Sequence, residues 1–150
     1  MRAVIQRCHY VNLSIGGEIY SSINIGLLIL LGIGENDNIE DIKWLSGKIS
    51  RLRIFGDDDG KMNLSIQDIK GEIMVVSQFT LFASTKKGNR PSYLNSAKPD
   101  KAMPLYEEFT RQIKSDTDLN VVTGKFGANM KIELLNDGPV TIIIDSKNRE

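Results

Sequence analysis

The sequence predicts one α/β domain, residues 1–150, in which a mostly antiparallel or mixed curved sheet forms a barrel-like core with two main helices. Three observations lead to this prediction. Strand-like apolar runs recur at least six times, and short turns join several of them. Only two segments place apolar residues at helical spacing. A chain of 150 residues with 41% apolar composition suits one domain with a sizeable core.

The first predicted elements are an N-terminal hairpin and a buried strand. Apolar and polar residues alternate over 11–15, and Gly16-Gly17 then supplies the two positive-φ positions of a tight turn. The continuous apolar run from Gly26 to Leu31 is typical of a strand that is covered on both faces.

The first helix is predicted over residues 39 to 52. Asn38 is its expected N-cap, and Glu40 and Asp41 suit the positive end of the helix dipole. The apolar residues that share one face of this helix are Ile39, Ile42, Leu45, Ile49 and Leu52. A turn-rich stretch at 56–61 is then expected to lead to a strand at 72–76.

The second helix is predicted from about Asp100, after a polar surface loop at 83–98 that is long enough to suggest a function. Pro104 is expected in its first turn, where the amides have no intrahelical acceptor. The residues expected on its packed face are Ala102, Leu105, Tyr106, Phe109 and Ile113. Further strands are predicted around 121–122, 130–134 and 140–144.

Composition narrows the functional classes. The 19 basic residues balance 19 acidic ones, so a nucleic-acid partner would have to be bound by a local cluster of basic residues and not by the net charge of the whole molecule.

The longest apolar stretch, 25–33, is too short to span a bilayer, and the N-terminus lacks the apolar block of a secretory signal. We therefore expect a soluble, cytoplasmic protein without a membrane partner. The single cysteine, Cys8, is expected to be a small core side chain.

Two apparent ligand-binding motifs fail on their spacing. The glycines at 32 and 34 resemble a dinucleotide fingerprint, but Asp37 stands where the third glycine is needed. The run at 57–60 resembles part of a calcium loop, but Phe55 and Ile66 occupy the first and last ligand positions. The sequence thus predicts neither a metal nor a cofactor.

The motif Ser77-Gln78-Phe79-Thr80 closes an apolar run at the point where a strand meets a loop. It offers two hydroxyls, one amide and several backbone N–H groups, without a carboxylate dyad or a Cys/His pair. One interpretation is an ordinary strand end. The other is that the peptide N–H groups point into a cleft and stabilise an oxyanion.

A second polar motif, Asn136 to Thr141, separates the last two apolar runs. From the residues alone, Gly138-Pro139 is interpreted as a hairpin turn, and composition does not reveal the isomer of its peptide bond.

Four separated blocks resemble the signature blocks of the D-aminoacyl-tRNA deacylases, also called D-tyrosyl-tRNA deacylases, in their order and spacing. These blocks are Ser77-Gln78-Phe79-Thr80-Leu81, Lys87-Gly88-Asn89-Arg90-Pro91-Ser92, Gly124-Lys125-Phe126-Gly127-Ala128-Asn129-Met130 and Asn136-Asp137-Gly138-Pro139-Val140-Thr141. The similarity covers essentially the whole chain, with a departure from the family pattern at 8–11.

The resemblance implies a homodimer that hydrolyses the ester joining a D-amino acid, or glycine, to the terminal adenosine of tRNA. Gly138 and Pro139 would form a cis dipeptide that enters the partner subunit's pocket, where its backbone excludes every L side chain. Glycine has no side chain to collide with this filter, so activity on glycyl-tRNA mischarged on tRNA-Ala is expected.

The resemblance also implies catalytic roles. Ser77, Gln78 and Phe79 would line the reaction centre, and the amides of Gln78 and Phe79 would be oxyanion donors. Thr80 has two possible roles, a nucleophile or an orienting hydroxyl. A nucleophile needs an activating base that the motif lacks, so we favour the orienting role, with a ribose hydroxyl of the substrate helping to activate water.

Substrate-binding roles follow in the same way. Phe126 and Met130 are expected to line the pocket, with ordinary core packing as the alternative. Arg7 is expected to hold the carbonyls of Gly138-Pro139, with an ion pair to a surface carboxylate as the alternative.

The basic residues Lys87 and Arg90, with Lys86, are expected to meet phosphates of the tRNA acceptor end, although loop basics are usually just solvated. Two other functional classes stay open. One is a dimeric tRNA- or nucleotide-binding module without turnover, and the other is a serine or threonine esterase acting on small acyl esters.

Overall fold

The computed structural model describes residues 1–149, which contain one six-stranded mixed sheet, a small two-stranded hairpin and two α-helices. The strands are β1 (Arg2–Ile15), β2 (Glu18–Ile23), β3 (Gly26–Gly32), β4 (Phe55–Gly56), β5 (Met62–Leu64), β6 (Glu72–Ser77), β7 (Val121–Thr123) and β8 (Lys131–Asp145). The helices are α1 (Ile39–Ser50) and α2 (Pro99–Thr117).

The long strand β1 organises the sheet because it pairs with three other strands. Along one edge its first half is antiparallel to β3 and its second half is antiparallel to β2, while β8 follows the other edge. The pairs β3–β6 and β6–β7 are parallel. The Ser21 hydroxyl in β2 donates to the Thr123 carbonyl in β7 at 3.0 Å, which brings the far edge of the sheet back toward β2. This curved mixed sheet confirms the predicted fold class.

A bulge in β1 divides the apolar core between the two faces of the sheet. Ala3 and Ile5 belong to the cluster that packs against the helices, whereas Cys8, Val11 and Leu13 belong to the cluster on the other face. Strict alternation would place residues 8 and 11 on opposite faces. The register with β8 shifts between these two residues, and one extra residue turns the following side chains to the other face.

Helix α1 begins as the sequence predicts. The Asn38 side chain accepts a hydrogen bond from the backbone N–H of Glu40, and the Asp41 carboxylate accepts one from the backbone N–H of Asn38, each at 2.9 Å. The helix ends at Ser50, two residues before the predicted end. There the N–H of Arg51 turns back to the Lys48 carbonyl three residues earlier.

Helix α2 begins at Pro99, so Pro104 is its sixth residue and lies in the second turn, not in the first as expected. At this position proline removes a hydrogen bond to the Asp100 carbonyl. Packing of the apolar face compensates, since four of the five predicted residues are buried and Leu105 is half-buried. Neither helix within residues 1–149 has the length and apolar composition needed to cross a membrane.

The turn-rich stretch at 56–61 is the tip of the hairpin β4–β5, which the sequence did not predict. The backbone N–H of Asp57 donates to the Lys61 carbonyl at 2.8 Å, and Gly60 adopts a φ of +75°. The paired segments are only two and three residues long, too short to produce a readable alternation.

The two C-terminal apolar runs belong to the single strand β8, so the hairpin-turn interpretation of Gly138-Pro139 is wrong. Asn136 pairs with Cys8 and Thr141 pairs with Gln6 on the same neighbouring strand. One residue of β1 separates these two pairs, whereas four residues of β8 do so. Residues 137–140 therefore protrude from the strand, and we call them the 137–140 bulge. Its Gly138-Pro139 peptide bond is cis.

Candidate active site

A cavity of about 620 Å³ opens at the carboxyl ends of the parallel strands β3 and β6. Its size is in the range of small-molecule sites, roughly 300–1,000 Å³. The wall includes Ser77, Gln78 and Phe79 from the first motif, and Phe126 and Met130 from the 124–130 block. The structure thus brings together five residues that the sequence analysis selected from two distant segments.

Backbone hydrogen bonding decides which amides of the first motif can serve as oxyanion donors. The N–H of Gln78 donates to the Leu31 carbonyl of β3 at 2.7 Å, so it is already engaged. This corrects the expectation that the backbone N–H of Gln78 is free to donate a hydrogen bond to an oxyanion. Residues 79–82 form a 3-10 turn, whose first amides have no acceptor within the turn. Within residues 1–149, the N–H groups of Phe79 and Thr80 have no hydrogen-bond partner.

Thr80 is anchored to its own motif. Its hydroxyl oxygen accepts a hydrogen bond from the side-chain amide of Gln78. In the part of the chain that the structure describes, no histidine, lysine or carboxylate is hydrogen-bonded to this hydroxyl. The side chain is half-buried and does not contribute to the cavity wall formed by residues 1–149. This environment suits an orienting role for Thr80 better than that of a nucleophile.

An aromatic pair stands at the cavity. Phe79 is 57% exposed, and its ring meets the Tyr93 ring edge-to-face with centroids 5.0 Å apart. Tyr93 was missed by the sequence analysis, although it directly follows the 87–92 block. Two exposed aromatic rings beside a cavity offer a surface on which an unpaired base could stack.

The third aromatic residue of the wall, Phe126, both lines the cavity and packs against the core, so the two interpretations of this residue are compatible. Its ring packs against the Tyr106 ring at a centroid distance of 5.9 Å. The Tyr106 hydroxyl donates to the Val75 carbonyl at 2.7 Å. Burial raises the pKa of the Tyr106 phenol well above its ordinary value. The phenol therefore stays protonated at neutral pH and fixes the position of Phe126.

Gly138 and Pro139 do not reach this cavity. They line a separate groove of about 520 Å³ together with Arg7 and the β4–β5 hairpin. Among residues 1–149, the two concavities share no wall residue. Within one chain, the two polar motifs therefore lie in separate concavities.

Arg7 pairs with a carboxylate, which was the alternative interpretation. Its Nε lies 3.0 Å from Asp137 Oδ2, and its Nη1 donates to the Ile54 carbonyl at 2.6 Å. In the described chain it donates no hydrogen bond to the carbonyls of Gly138 or Pro139. This corrects the expectation that Arg7 holds those carbonyls directly.

The loop cations lie outside the cavity. Lys87 and Arg90 are exposed in a segment that Ser84 and Ser92 close with two reciprocal backbone hydrogen bonds of 2.8 and 2.9 Å. The cation in the cavity wall of the described residues is Lys98, which the sequence analysis did not select. Lys98 lies at the end of the loop, directly before the proline that begins α2, and no motif in the sequence marks it as a functional residue.

Cys8 is a buried core side chain, as predicted. Burial raises the pKa of its thiol, and the nearby charge of Asp137 acts in the same direction. Its Sγ donates to the Gln6 carbonyl at 3.2 Å. A raised pKa disfavours the thiolate, so this residue is a poor nucleophile.

Comparison with known proteins shows similarity over the whole chain. Residues 4–145 match the family model described as D-Tyr-tRNA(Tyr) deacylase. Two proteins named D-aminoacyl-tRNA deacylase, from Azobacteroides pseudotrichonymphae and Flavobacterium psychrophilum, are 59% and 58% identical over 150 residues, which is 100% of each chain. A solved structure of the c-Myc DNA Unwinding Element Binding Protein is 38% identical with a TM-score of 0.91, over 97% of this chain and 98% of that one.

Proposed function

The chain belongs to the D-Tyr-tRNA(Tyr) deacylase family, and from that premise we propose that it hydrolyses the ester bond of D-aminoacyl-tRNA, and of glycyl-tRNA mischarged on tRNA-Ala. The products are the free amino acid and the free tRNA, and the reaction takes place in the cytoplasm. The observation that carries this proposal is that Phe79, a residue of the cavity wall, has a backbone N–H without a hydrogen-bond partner among residues 1–149.

The free amides suit the chemistry of ester hydrolysis. Water attacks the ester carbonyl carbon, the carbonyl oxygen becomes an oxyanion, and the bond to the ribose oxygen breaks as that oxygen takes a proton. The N–H of Phe79 stabilises the oxyanion, and one such donor is worth roughly a hundred- to a thousand-fold in rate. Because aminoacyl esters are already labile, a neighbouring ribose hydroxyl and correct orientation supply the remainder.

Selection of the D configuration comes from a second copy of the chain. Since Gly138 and Pro139 line a groove apart from the cavity of their own chain, they reach a reaction centre only in a partner subunit. Both residues are exposed on the 137–140 bulge, as an inserting segment must be. Their main-chain atoms then face the α-carbon of the substrate. They exclude every L side chain by steric conflict and make no contact with D side chains. Glycine passes the same filter.

Basic side chains near the cavity bind the phosphates of the tRNA. Lys87 and Arg90 are exposed in the loop that follows the catalytic motif, and Lys98 reaches the cavity wall. Phosphate contacts of this kind release counterions, so tRNA binding should weaken as salt is added. A salt titration that leaves the affinity unchanged would contradict this contact.

The proposed function is tested by incubating the protein with D-tyrosyl-tRNA and L-tyrosyl-tRNA and following release of the amino acid. We expect hydrolysis of the D ester and survival of the L ester. Cleavage of both esters favours a generic esterase. Cleavage of neither, with tRNA still bound, leaves a nucleic-acid-binding module, the activity for which the 38%-identical structure is named.

Replacing Thr80 with Val distinguishes its two roles. We expect single-turnover hydrolysis of D-tyrosyl-tRNA to stay within about tenfold of wild type, because the hydroxyl only anchors the Gln78 amide. Loss of a nucleophile costs far more, on the order of 10⁴-fold or above. Thr110→Val is the matched control, since within residues 1–149 the Thr110 hydroxyl donates only to the Tyr106 carbonyl in α2. A rate near background for Thr80→Val alone would establish the covalent route.

A further inference from the structure

The side chain of Asn136 occupies the gap that the 137–140 bulge leaves between β1 and β8. Its Nδ2 donates to the Arg7 carbonyl at 2.9 Å and to the Val140 carbonyl at 3.1 Å. The first acceptor lies on β1 opposite the bulge, and the second is the last residue of the bulge. One amide group therefore ties both ends of the protruding segment to the neighbouring strand.

The chemistry of the gap matches an asparagine. Two carbonyl oxygens need two donors, and a carboxamide supplies both from one nitrogen. Its Oδ1 accepts from the Thr141 hydroxyl at 3.4 Å, which agrees with this orientation of the amide. Aspartate in the same place would set an acceptor-only carboxylate against two carbonyl oxygens, and serine would supply one donor in place of two.

Arg7 connects this amide contact to the tip of the bulge. Its carbonyl is held by Asn136, while its guanidinium pairs with Asp137. Its Nη2 also lies 3.0 Å from the position that a β-carbon on Gly138 would take. Because one residue contacts both the base and the tip of the bulge, a change at residue 136 shifts the tip as well.

We propose that Asn136 is a positioning residue for chiral discrimination, which closes the 137–140 bulge and presents Gly138 and Pro139 in one fixed arrangement. This inference rests on the proposed function of those two residues as the D/L filter. Asn136 acts only through the bulge and through Arg7. A filter made of backbone discriminates by position, so loosening its base lowers the ratio of the D and L rates.

The test compares Asn136→Asp with Asn120→Asp. Asn120 lies before β7, away from the bulge, and its Nδ2 donates to Glu72 Oε1 at 2.7 Å. Each substitution replaces a donating amide with a carboxylate that faces an oxygen acceptor, so each is expected to lower the Tm. Single-turnover rates on D-tyrosyl-tRNA and L-tyrosyl-tRNA are measured for both variants and for wild type. We expect the D/L rate ratio to fall at least tenfold for Asn136→Asp and to stay at the wild-type value for Asn120→Asp.

A second variant covers the case in which Asn136→Asp does not fold. Asn136→Ser retains one donor, so its D/L rate ratio should lie between those of wild type and Asn136→Asp. If Asn136→Asp does not fold, the ratio of Asn136→Ser should still be lower than that of wild type. A wild-type ratio in the folded Asn136 variants overturns this inference, because a merely structural asparagine changes the Tm and not the ratio. Equal hydrolysis of both esters by wild type overturns the proposed function itself.

Discussion

A Gly138→Ala variant is expected to lose at least about a hundredfold in single-turnover hydrolysis of D-tyrosyl-tRNA, because small misplacements of groups around a reaction centre have effects of this size. Gly138 adopts a φ of +118°, which L side chains rarely adopt. An added β-carbon would lie 2.7 Å from Val140 Cγ2, 3.0 Å from the Val140 backbone nitrogen and 3.0 Å from Arg7 Nη2. The bulge and the guanidinium beneath it must both move, so the bulge would no longer fit the partner's cavity in the proposed cross-subunit arrangement.

The control for this variant separates the cost of the backbone angle from the displacement of the bulge. Gly17, in the turn between β1 and β2, has a φ of +89°, and no heavy atom of residues 1–149 lies within 4 Å of an added β-carbon. Gly17→Ala is therefore expected to lower the Tm slightly, by strain of roughly 1–2 kcal/mol, and to keep the deacylation rate. If Gly138→Ala hydrolysed the D ester at the wild-type rate and still spared the L ester, the assigned role of residue 138 would be incorrect.

The largest effect on stability is expected for Gly26→Ala. Gly26 begins β3 and pairs with Cys8 on one side and with Glu72 on the other. An added β-carbon would lie 1.8 Å from the Glu72 carbonyl oxygen and 2.7 Å from its carbonyl carbon. These are backbone atoms of β6 that have no rotamer to change, so the two strands must separate where their pairing begins. We expect a loss of about 4 kcal/mol or more, a large part of the stability of a typical domain.

Chemical denaturation of Gly26→Ala and of Gly56→Ala measures this effect. Gly56 lies in β4, where an added β-carbon meets no heavy atom of residues 1–149 within 4 Å. Its substitution should therefore change the free energy of unfolding by less than about 0.5 kcal/mol. A cooperative transition of Gly26→Ala at the wild-type midpoint would show that the β3–β6 pairing is not as tight as described. Because this pairing also sets Ser77 opposite Leu31, any folded Gly26→Ala should deacylate slowly as well.

Sequence alone determined the elements whose signals are local. The Gly16-Gly17 turn, the Asn38 cap and the buried run of β3 each depend on residues that are adjacent or one helical turn apart. The same holds for the Ser77-Gln78-Phe79-Thr80 motif, three of whose residues the structure places in one cavity wall. The resemblance to the family predicted Phe126 and Met130 in that wall, although no local sequence pattern connects them with residues 77–79.

Only the tertiary structure decided features that depend on which strand lies alongside. Whether Gly138-Pro139 was a hairpin turn or a bulge depended on both flanking runs pairing with the same strand, β1. The backbone N–H of Gln78 is unavailable to a ligand because it donates a hydrogen bond to the Leu31 carbonyl of β3. The backbone N–H groups of Phe79 and Thr80 lie beyond the end of the β3–β6 pairing. A backbone donor is chemically the same at every position of a sequence. Its availability is set by a neighbour that is distant along the chain and close in space.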